Sequence, residues 1–196
     1  MADSAGIGHV TQSLQDALRA AITNAGPYAG SQVDLRSPVE IETPAVGTMA
    51  LSLWLYRVRR FDDLENRPPR ITADGRLIPA PLPLVLHYLI TPLASDELSR
   101  QRLLGHAMQA LHGQGQLGAA FTKPALLGPD EDSIGIHLEQ QSFEEAVRVW
   151  QALHEPYRLS VSYFVQYVSI EASRTFAAGP PVLERETAHA AIEAVV

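Results

Sequence analysis

Apolar and polar residues alternate along three segments of the chain, which is the pattern of a strand with one buried face. These segments cover residues 49–56, 134–138 and 157–167. A fourth segment, residues 84–90, is apolar apart from one histidine and follows a proline-rich stretch, so it also predicts a strand. In the first segment Leu51, Leu53 and Leu55 share one face, and we expect them in the core.

Helical spacing of apolar residues predicts three helices. The first covers residues 9–22, and the second extends from an N-cap at Ser95 to about residue 112. The third begins at Ser142, which forms an S-x-x-E capping box with Glu145. The order of elements predicts an α+β domain with a mainly antiparallel or mixed sheet of about four to five strands, covered by about three helices.

Domain boundaries follow from the same pattern. Residues 1–172 are expected to form a single domain, and residues 173–196 a C-terminal arm that is extended or weakly helical. The long proline-rich connection between the first two strands, residues 60–82, is longer than an ordinary loop, and such loops are often functional. We therefore expect this loop and the arm to be the contact elements of the molecule.

Composition narrows the classes of function. The chain has 196 residues, of which 46% are hydrophobic, and a formal net charge of -7. That charge disfavours nucleic acid and anionic membranes as partners. The absence of cysteine excludes disulfides and thiolate sites. No apolar stretch approaches the roughly 20 residues of a membrane span, and the N-terminus lacks the basic and apolar pattern of a secretory signal. We expect a protein that folds in the cytoplasm.

Motifs for a cofactor or a metal are weak. A G-x-G-x-x-G pattern occurs at Gly113, Gly115 and Gly118, but it follows a predicted helix instead of a strand, so we interpret it as a helix stop and linker. The histidines lack the spacing of a metal-binding helix, and no G-x-S-x-G motif is present. We expect no cofactor, no metal and no enzyme activity.

One enzyme hypothesis stays open beside this expectation. A small hydrolase or ligand-binding enzyme would use His87, His137 and the acidic run Asp130, Glu131 and Asp132. These groups would have to converge in one pocket. A solvated turn is the alternative for the acidic run.

The first strand ends in a cationic segment, LSLWLYRVRR. Between positions 57 and 76 there are six arginines and four acidic residues, a local net charge of +2. Mixed charge with only one aromatic residue, Phe61, fits a protein partner better than nucleic acid, which remains the second alternative. A solvated loop is a further alternative. The candidate assembly interface comprises Arg57, Arg59, Arg60, Arg67, Arg70 and Arg76.

Five segments in order, LSLWLYRV, DGRLIPAPLPLVLHYLIT, RLLGHAMQALH, SIGIHLEQQSFEEAVRVWQAL and YRLSVSYFVQYVSIE, carry a resemblance that spans roughly residues 8–172. They resemble the distal cap, or tail-terminator, proteins of contractile injection systems of the antifeeding-prophage type. These systems are phage-tail-like particles that some bacteria release.

The resemblance implies a ring, a homo-hexamer, that sits on the last layer of the inner tube and contacts the last layer of the sheath. Such a cap ends polymerisation of a particle that is assembled in the cytoplasm. The resemblance implies no active site and no cofactor, and it assigns no individual binding residues. Some relatives carry a further C-terminal domain.

Overall fold

The protein was studied as a computed structural model. The structure describes residues 4–23, 26–28, 30–61, 68–72, 74–114, 116–117, 121–123, 126, 134–173 and 176–177. None of the helices in these ranges is both long and apolar enough to span a membrane.

Three α-helices and nine strands make up the described chain. In order they are α1 (Gly6–Thr23), β1 (Gln32–Asp34), β2 (Met49–Arg60), β3 (Arg70–Ile71), β4 (Arg76–Ile78), β5 (Leu82–Ala94), α2 (Glu97–Gln114), β6 (Gln116–Leu117), β7 (Ile134–Leu138), α3 (Phe143–Ala152), β8 (Val161–Ile170) and β9 (Phe176–Ala177). A short 3-10 helix, Gly26–Tyr28, follows α1.

Six strands form the main sheet, in the order β1-β2-β5-β8-β7-β6. The pair β1 and β2 is parallel, and the other pairs are antiparallel. The expected α+β class with a mixed, mainly antiparallel sheet is confirmed. Its two outermost strands have only two or three residues, too few for alternation to become visible in the sequence.

A second, three-stranded sheet has the order β3-β4-β9. Strands β3 and β4 belong to the proline-rich segment of residues 60–82, while β9 belongs to the predicted C-terminal arm. Arg76 pairs with Ala177 and Leu77 with Phe176. The structure therefore joins the described parts of the two expected contact elements. The rest of the arm, residues 178–196, lies outside the described residues.

The core lies between one face of the main sheet and the helices α1 and α2. Leu51 and Leu53 are fully buried in it as expected, and Leu55 packs against it partly exposed. A partly buried hydrogen bond of 2.8 Å joins Tyr88 of β5 to Thr11 of α1. Away from this cluster, α3 contributes Trp150, whose indole N–H donates to Ser160 Oγ over 3.1 Å.

The observed start of α3 agrees with the prediction from sequence, and that of α2 does not. The capping box at Ser142 and Glu145 is present as predicted. Ser95 is not the N-cap of α2, because the carboxylate of Asp96 accepts the Ser99 backbone N–H over 2.9 Å and the helix begins at Glu97. Helix α2 also continues to Gln114, so Gly113 lies within it rather than after it.

Two β-bulges interrupt the regular alternation. In β2, Leu55 pairs with Tyr88 and Arg57 pairs with His87, so Tyr56 is an additional residue. In β8, Val165 pairs with Leu86 and Val168 with Leu84, so β8 has one additional residue between these two pairs. The core side chains of β8 are therefore at odd positions up to Val165 and at an even position, Val168, after the bulge. The segment predicted from residue 157 becomes a strand only at residue 161.

Candidate functional site

The cationic end of β2 is exposed and faces away from the main core. Strict alternation from Leu55 would place Arg57 and Arg59 on the core face of the sheet. Because Tyr56 occupies a bulge, Arg57 instead lies opposite His87 and Arg59 opposite Val85. Directly opposed residues of an antiparallel pair share a face, so both arginines lie on the outer face of the sheet.

The six candidate arginines divide into two groups. Arg57, Arg59 and Arg60 are adjacent at the exposed end of β2. Arg70 and Arg76 lie on the small sheet, where exposed carboxylates accompany them: Arg70 is 3.4 Å from Glu171, and Arg76 is 3.7 Å from Asp74. Exposed pairs of this kind contribute little to stability. Arg67 lies outside the described residues.

No ion pair involves Arg57 or Arg59 within the described part of the chain. Arg57 is near the first turn of α3, where hydrogen bonds from the backbone and side chain of Ser142, together with the positive charges of Arg148 and Arg57, lower the pKa of Glu145. The β2 end therefore carries guanidinium groups that are available to an external anion.

A cleft of about 320 Å³ opens beside these arginines. It lies on the outer face of the sheet, across β2, β5 and β8. Its lining residues are Arg59, Arg60, Phe61, Val85, His87, Glu139, Phe164 and Gln166. The cleft thus combines cationic, aromatic and amide side chains with the carboxylate of Glu139, which His87 and Tyr56 hydrogen-bond.

Behind the cleft, Glu139 is the centre of a hydrogen-bond network. His87 Nδ1 lies 3.1 Å from Glu139 Oε1, and the Tyr56 hydroxyl donates to Glu139 Oε2 over 3.0 Å. Gln141 Nε2 donates to the Tyr56 oxygen over 2.6 Å and to Glu139 Oε2 over 3.3 Å, and Ser162 Oγ donates to Gln141 Oε1 over 3.0 Å. Burial raises the pKa of Tyr56, so its hydroxyl stays protonated as a donor.

This network determines which ring nitrogen of His87 carries hydrogen. An ionised carboxylate only accepts hydrogen bonds, so Nδ1 of His87 is the donor toward Glu139. In the neutral ring Nε2 is then an acceptor. That atom is buried and has no partner among the described residues. The side chain of His87 is therefore fixed in orientation but has one unused nitrogen.

The residues of the enzyme hypothesis come together only in part. His87 and His137 both contact the ring of Phe164, at centroid distances of 6.1 Å and 5.1 Å, but His137 is exposed. Residues 130–132 lie outside the described residues, as do Gly115 and Gly118 of the glycine motif. The described ranges contain no group of three residues able to hold a metal ion.

Sequence reasoning did not identify Tyr56, Glu139, Gln141 and Ser162 as partners of His87. The available signal was the histidine itself, which interrupts the otherwise apolar segment LVLHYLI. A polar side chain buried in such a strand requires a partner. The partner comes from the segment directly after β7, and no local pattern connects that segment to β5.

Two solved structures from contractile injection systems share this fold. The chain is similar to the sheath/tube terminator of the extracellular contractile injection system PVC in its extended state, with a TM-score of 0.67 and 18% identity. The match covers 97% of this chain and 65% of that chain. It is also similar to the tube-terminating cap of the anti-feeding prophage, with a TM-score of 0.61 and 21% identity over 92% of this chain and 60% of that one.

More particularly, the chain belongs to the Pvc16 N-terminal domain family, whose model matches residues 9–184. It spans less than two thirds of the length of the two solved terminators. A search of curated proteins gave no match.

Proposed function

We propose that this protein is a structural cap that ends the tube and sheath polymer at the distal end of a contractile injection particle. Membership of the Pvc16 N-terminal domain family carries the proposal. The likeness in fold to two terminators supports it. In this role the protein has no catalytic centre and acts through surfaces alone.

A stacked tube is a heterologous assembly, which grows until one component presents a face that accepts no further layer. The proposed cap therefore forms a ring, a homo-hexamer, with one face on the inner tube protein and contacts to the sheath protein. Assembly takes place in the cytoplasm before the particle is released. Nucleic acid and membrane are not partners in this proposal.

The proposed contact elements are the segment of residues 60–82, the arm of residues 173–196 and the arginine-rich end of β2. Two features support them. The first two elements pair with each other through β4 and β9, outside the main sheet. The β2 end exposes Arg57 and Arg59 without an ion pair in the described chain, and arginine is enriched at protein interfaces.

Deletion of the gene tests this function. Particles purified from the deletion strain and viewed by electron microscopy are expected to have uncontrolled length or to contain tubes without sheath. A plasmid copy of the full chain is expected to restore uniform length. Particles of normal length and complete sheath in the deletion strain would rule out the cap function.

A further inference from the structure

The cleft beside β2 has the features of a small anion site. Arg59 is exposed at its rim and has no ion pair within the described chain. Gln166 adds an amide side chain to the lining. Guanidinium groups bind planar carboxylates through two parallel hydrogen bonds, which gives both strength and orientation.

His87 is the second, independent feature that points to a ligand. Its side chain is 6% exposed, and Glu139 holds its Nδ1 nitrogen at 3.1 Å. Nε2 is buried without a partner, although buried polar atoms in proteins almost always have one. Glu139 fixes the orientation of the His87 ring, and Nε2 has no hydrogen-bond partner among the described residues. This nitrogen can therefore bind one additional group.

We propose that this cleft receives one carboxylate side chain of a partner protein, which pairs with Arg59 and accepts a hydrogen bond from Nε2 of protonated His87. The inference rests on the proposed function in one respect: the partner is taken to be a neighbouring component of the particle. Its chemistry, an Asp or Glu side chain, follows from the cleft.

Several observations favour a protein carboxylate over other anions. The volume of about 320 Å³ is at the small end of the range for ligand pockets, which suits a side chain. The net charge of -7 opposes approach of a polyanion such as nucleic acid. Since Nε2 is out of contact with solvent, the carboxylate reaches it only after a side chain that covers it changes rotamer.

Binding in this way takes up one proton from solvent. With Nδ1 donating to Glu139, Nε2 of the neutral ring carries no hydrogen, while a hydrogen bond from Nε2 to a carboxylate requires an imidazolium placed between that carboxylate and Glu139. Affinity is therefore expected to rise as the pH falls. The titratable or charged groups around His87 are Tyr56, Arg57 and Arg59 from β2, His137 from β7, Glu139 after β7, and Glu145 of α3 beside Arg57.

Nuclear magnetic resonance titration of the full chain tests the proposal. The probes are a blocked Ala-Glu-Ala peptide, the matched Ala-Gln-Ala peptide and inorganic phosphate. The glutamate peptide is expected to shift the ring resonances of His87 and to bind about tenfold more tightly than the glutamine peptide. Its affinity is expected to increase several-fold as the pH is lowered from about 8 to about 6, because binding takes up a proton.

Variants separate the contributions. Arg59→Gln is expected to weaken binding at every pH, and His87→Gln is expected to remove the pH dependence. Arg102→Gln, which changes an exposed arginine of α2, is the control and is expected to leave affinity unchanged. Should His87→Gln not fold, Arg59→Gln, which alters only an exposed side chain, and the ring resonances of the unmodified protein still give the answer.

Three results would overturn the proposal: equal binding of the two peptides, phosphate binding as tight as that of the glutamate peptide, or binding that leaves the His87 ring unshifted. The titration uses the isolated protein and does not depend on particle length. If the peptide fails to bind while deletion gives particles of uncontrolled length, only the carboxylate site is wrong. If it binds and deletion particles are normal, the cap function is wrong.

Discussion

At the scale of single residues, Tyr56 decides where the charges of β2 lie. As the additional residue of the bulge, it turns Arg57 and Arg59 to the outer face, whereas regular alternation would direct both toward the core. Burying an unpaired guanidinium is strongly unfavourable, so the bulge is a condition for this sequence to form a 12-residue strand. The same residue donates to Glu139 and so helps to fix the orientation of His87.

The hydrogen bond between Tyr88 and Thr11 allows a prediction for one buried group. The Thr11 hydroxyl donates its single hydrogen to Ile7 O over 3.0 Å, so the Tyr88 hydroxyl is the donor in the 2.8 Å contact between the two side chains. Tyr88→Phe removes that donor and leaves no other donor unsatisfied. We expect the free energy of unfolding in urea to fall by about 1 kcal/mol.

Tyr157→Phe is the matched control for this measurement, since Tyr157 is 41% exposed and its hydroxyl makes no hydrogen bond among the described residues. Its unfolding free energy is expected to stay within about 0.5 kcal/mol of the starting protein. Equal effects of the two substitutions would contradict the assigned contact between α1 and β5.

Prediction from sequence succeeds for residues whose environment is local. The burial of Leu51 and Leu53 follows from a period of two, and the capping box from a spacing of three. It fails for the partners of His87, because Glu139 is more than 50 positions away and approaches only once β7 pairs with β8. The bulge at Tyr56 has only an indirect sequence signal. Arg57 and Arg59 continue the phase of the core leucines, and a regular strand would bury them.

At the scale of elements, helices α2 and α3 differ in the residue that accepts the free backbone N–H groups of the first turn. In α2 it is Asp96, and in α3 it is Ser142. Ser142 accepts the Glu145 backbone N–H over 3.3 Å, and Glu145 in return accepts the Ser142 N–H over 2.9 Å. Ser142→Ala removes the side-chain acceptor. We expect the unfolding free energy to fall by about 1 kcal/mol, measured by urea denaturation. Ser95→Ala is the control: it precedes α2 but is not its cap, so little change is expected.

The carboxylate of Asp96 at the N-cap of α2 allows a prediction about how stability depends on pH. Hydrogen bonds from the side chain and backbone of Ser99 lower the pKa of Asp96 below its ordinary value of 3.8. A carboxyl group whose pKa is lowered by folding stabilises the fold above its ordinary pKa, and this contribution is lost as the pH falls through the folded value. Asp96→Asn is therefore expected to be less stable than the starting protein at neutral pH and to approach it below about pH 3.

Thermal unfolding of both proteins over a series of pH values measures this difference. Asp96→Ala provides the comparison, since it removes the acceptor as well as the charge and is expected to remain less stable at low pH too. If the difference in thermal stability between Asp96→Asn and the unmodified protein is the same at every pH, the charge of Asp96 does not contribute to stability.

The long elements are the part of the fold that sequence could predict. β2, β7, β8 and the three helices have a period that a window of residues reveals, and β5 is a continuous apolar run. The small sheet of β3, β4 and β9 could not be predicted, since its strands have two or three residues and β4 pairs with β9 across about 100 positions. Such short strands are defined by pairing and not by their own pattern.

At the scale of the whole molecule, charge is distributed unevenly. The chain carries a net charge of -7, yet the end of β2 exposes two arginines without an ion pair in the described chain. The exposed Arg36 and Arg158 pair with Asp34 at 2.7 Å and with Glu155 at 2.8 Å, whereas Arg57 and Arg59 lie close together without such a pair. We expect a complementary acidic partner at this cationic end of an acidic molecule.

Charge reversal tests whether the β2 end contacts another component of the particle. In the double variant Arg57→Glu with Arg59→Glu, assembly onto tube and sheath is expected to fall at least tenfold because like charges then meet across the interface. The monomer is expected to remain folded, since both side chains are exposed. The control reverses Arg19 and Arg102 on the two helices, giving the same change in net charge at a different surface, and is expected to assemble normally. Co-sedimentation with tubes, with circular dichroism as the test of folding, would refute the contact if both variants assembled equally well.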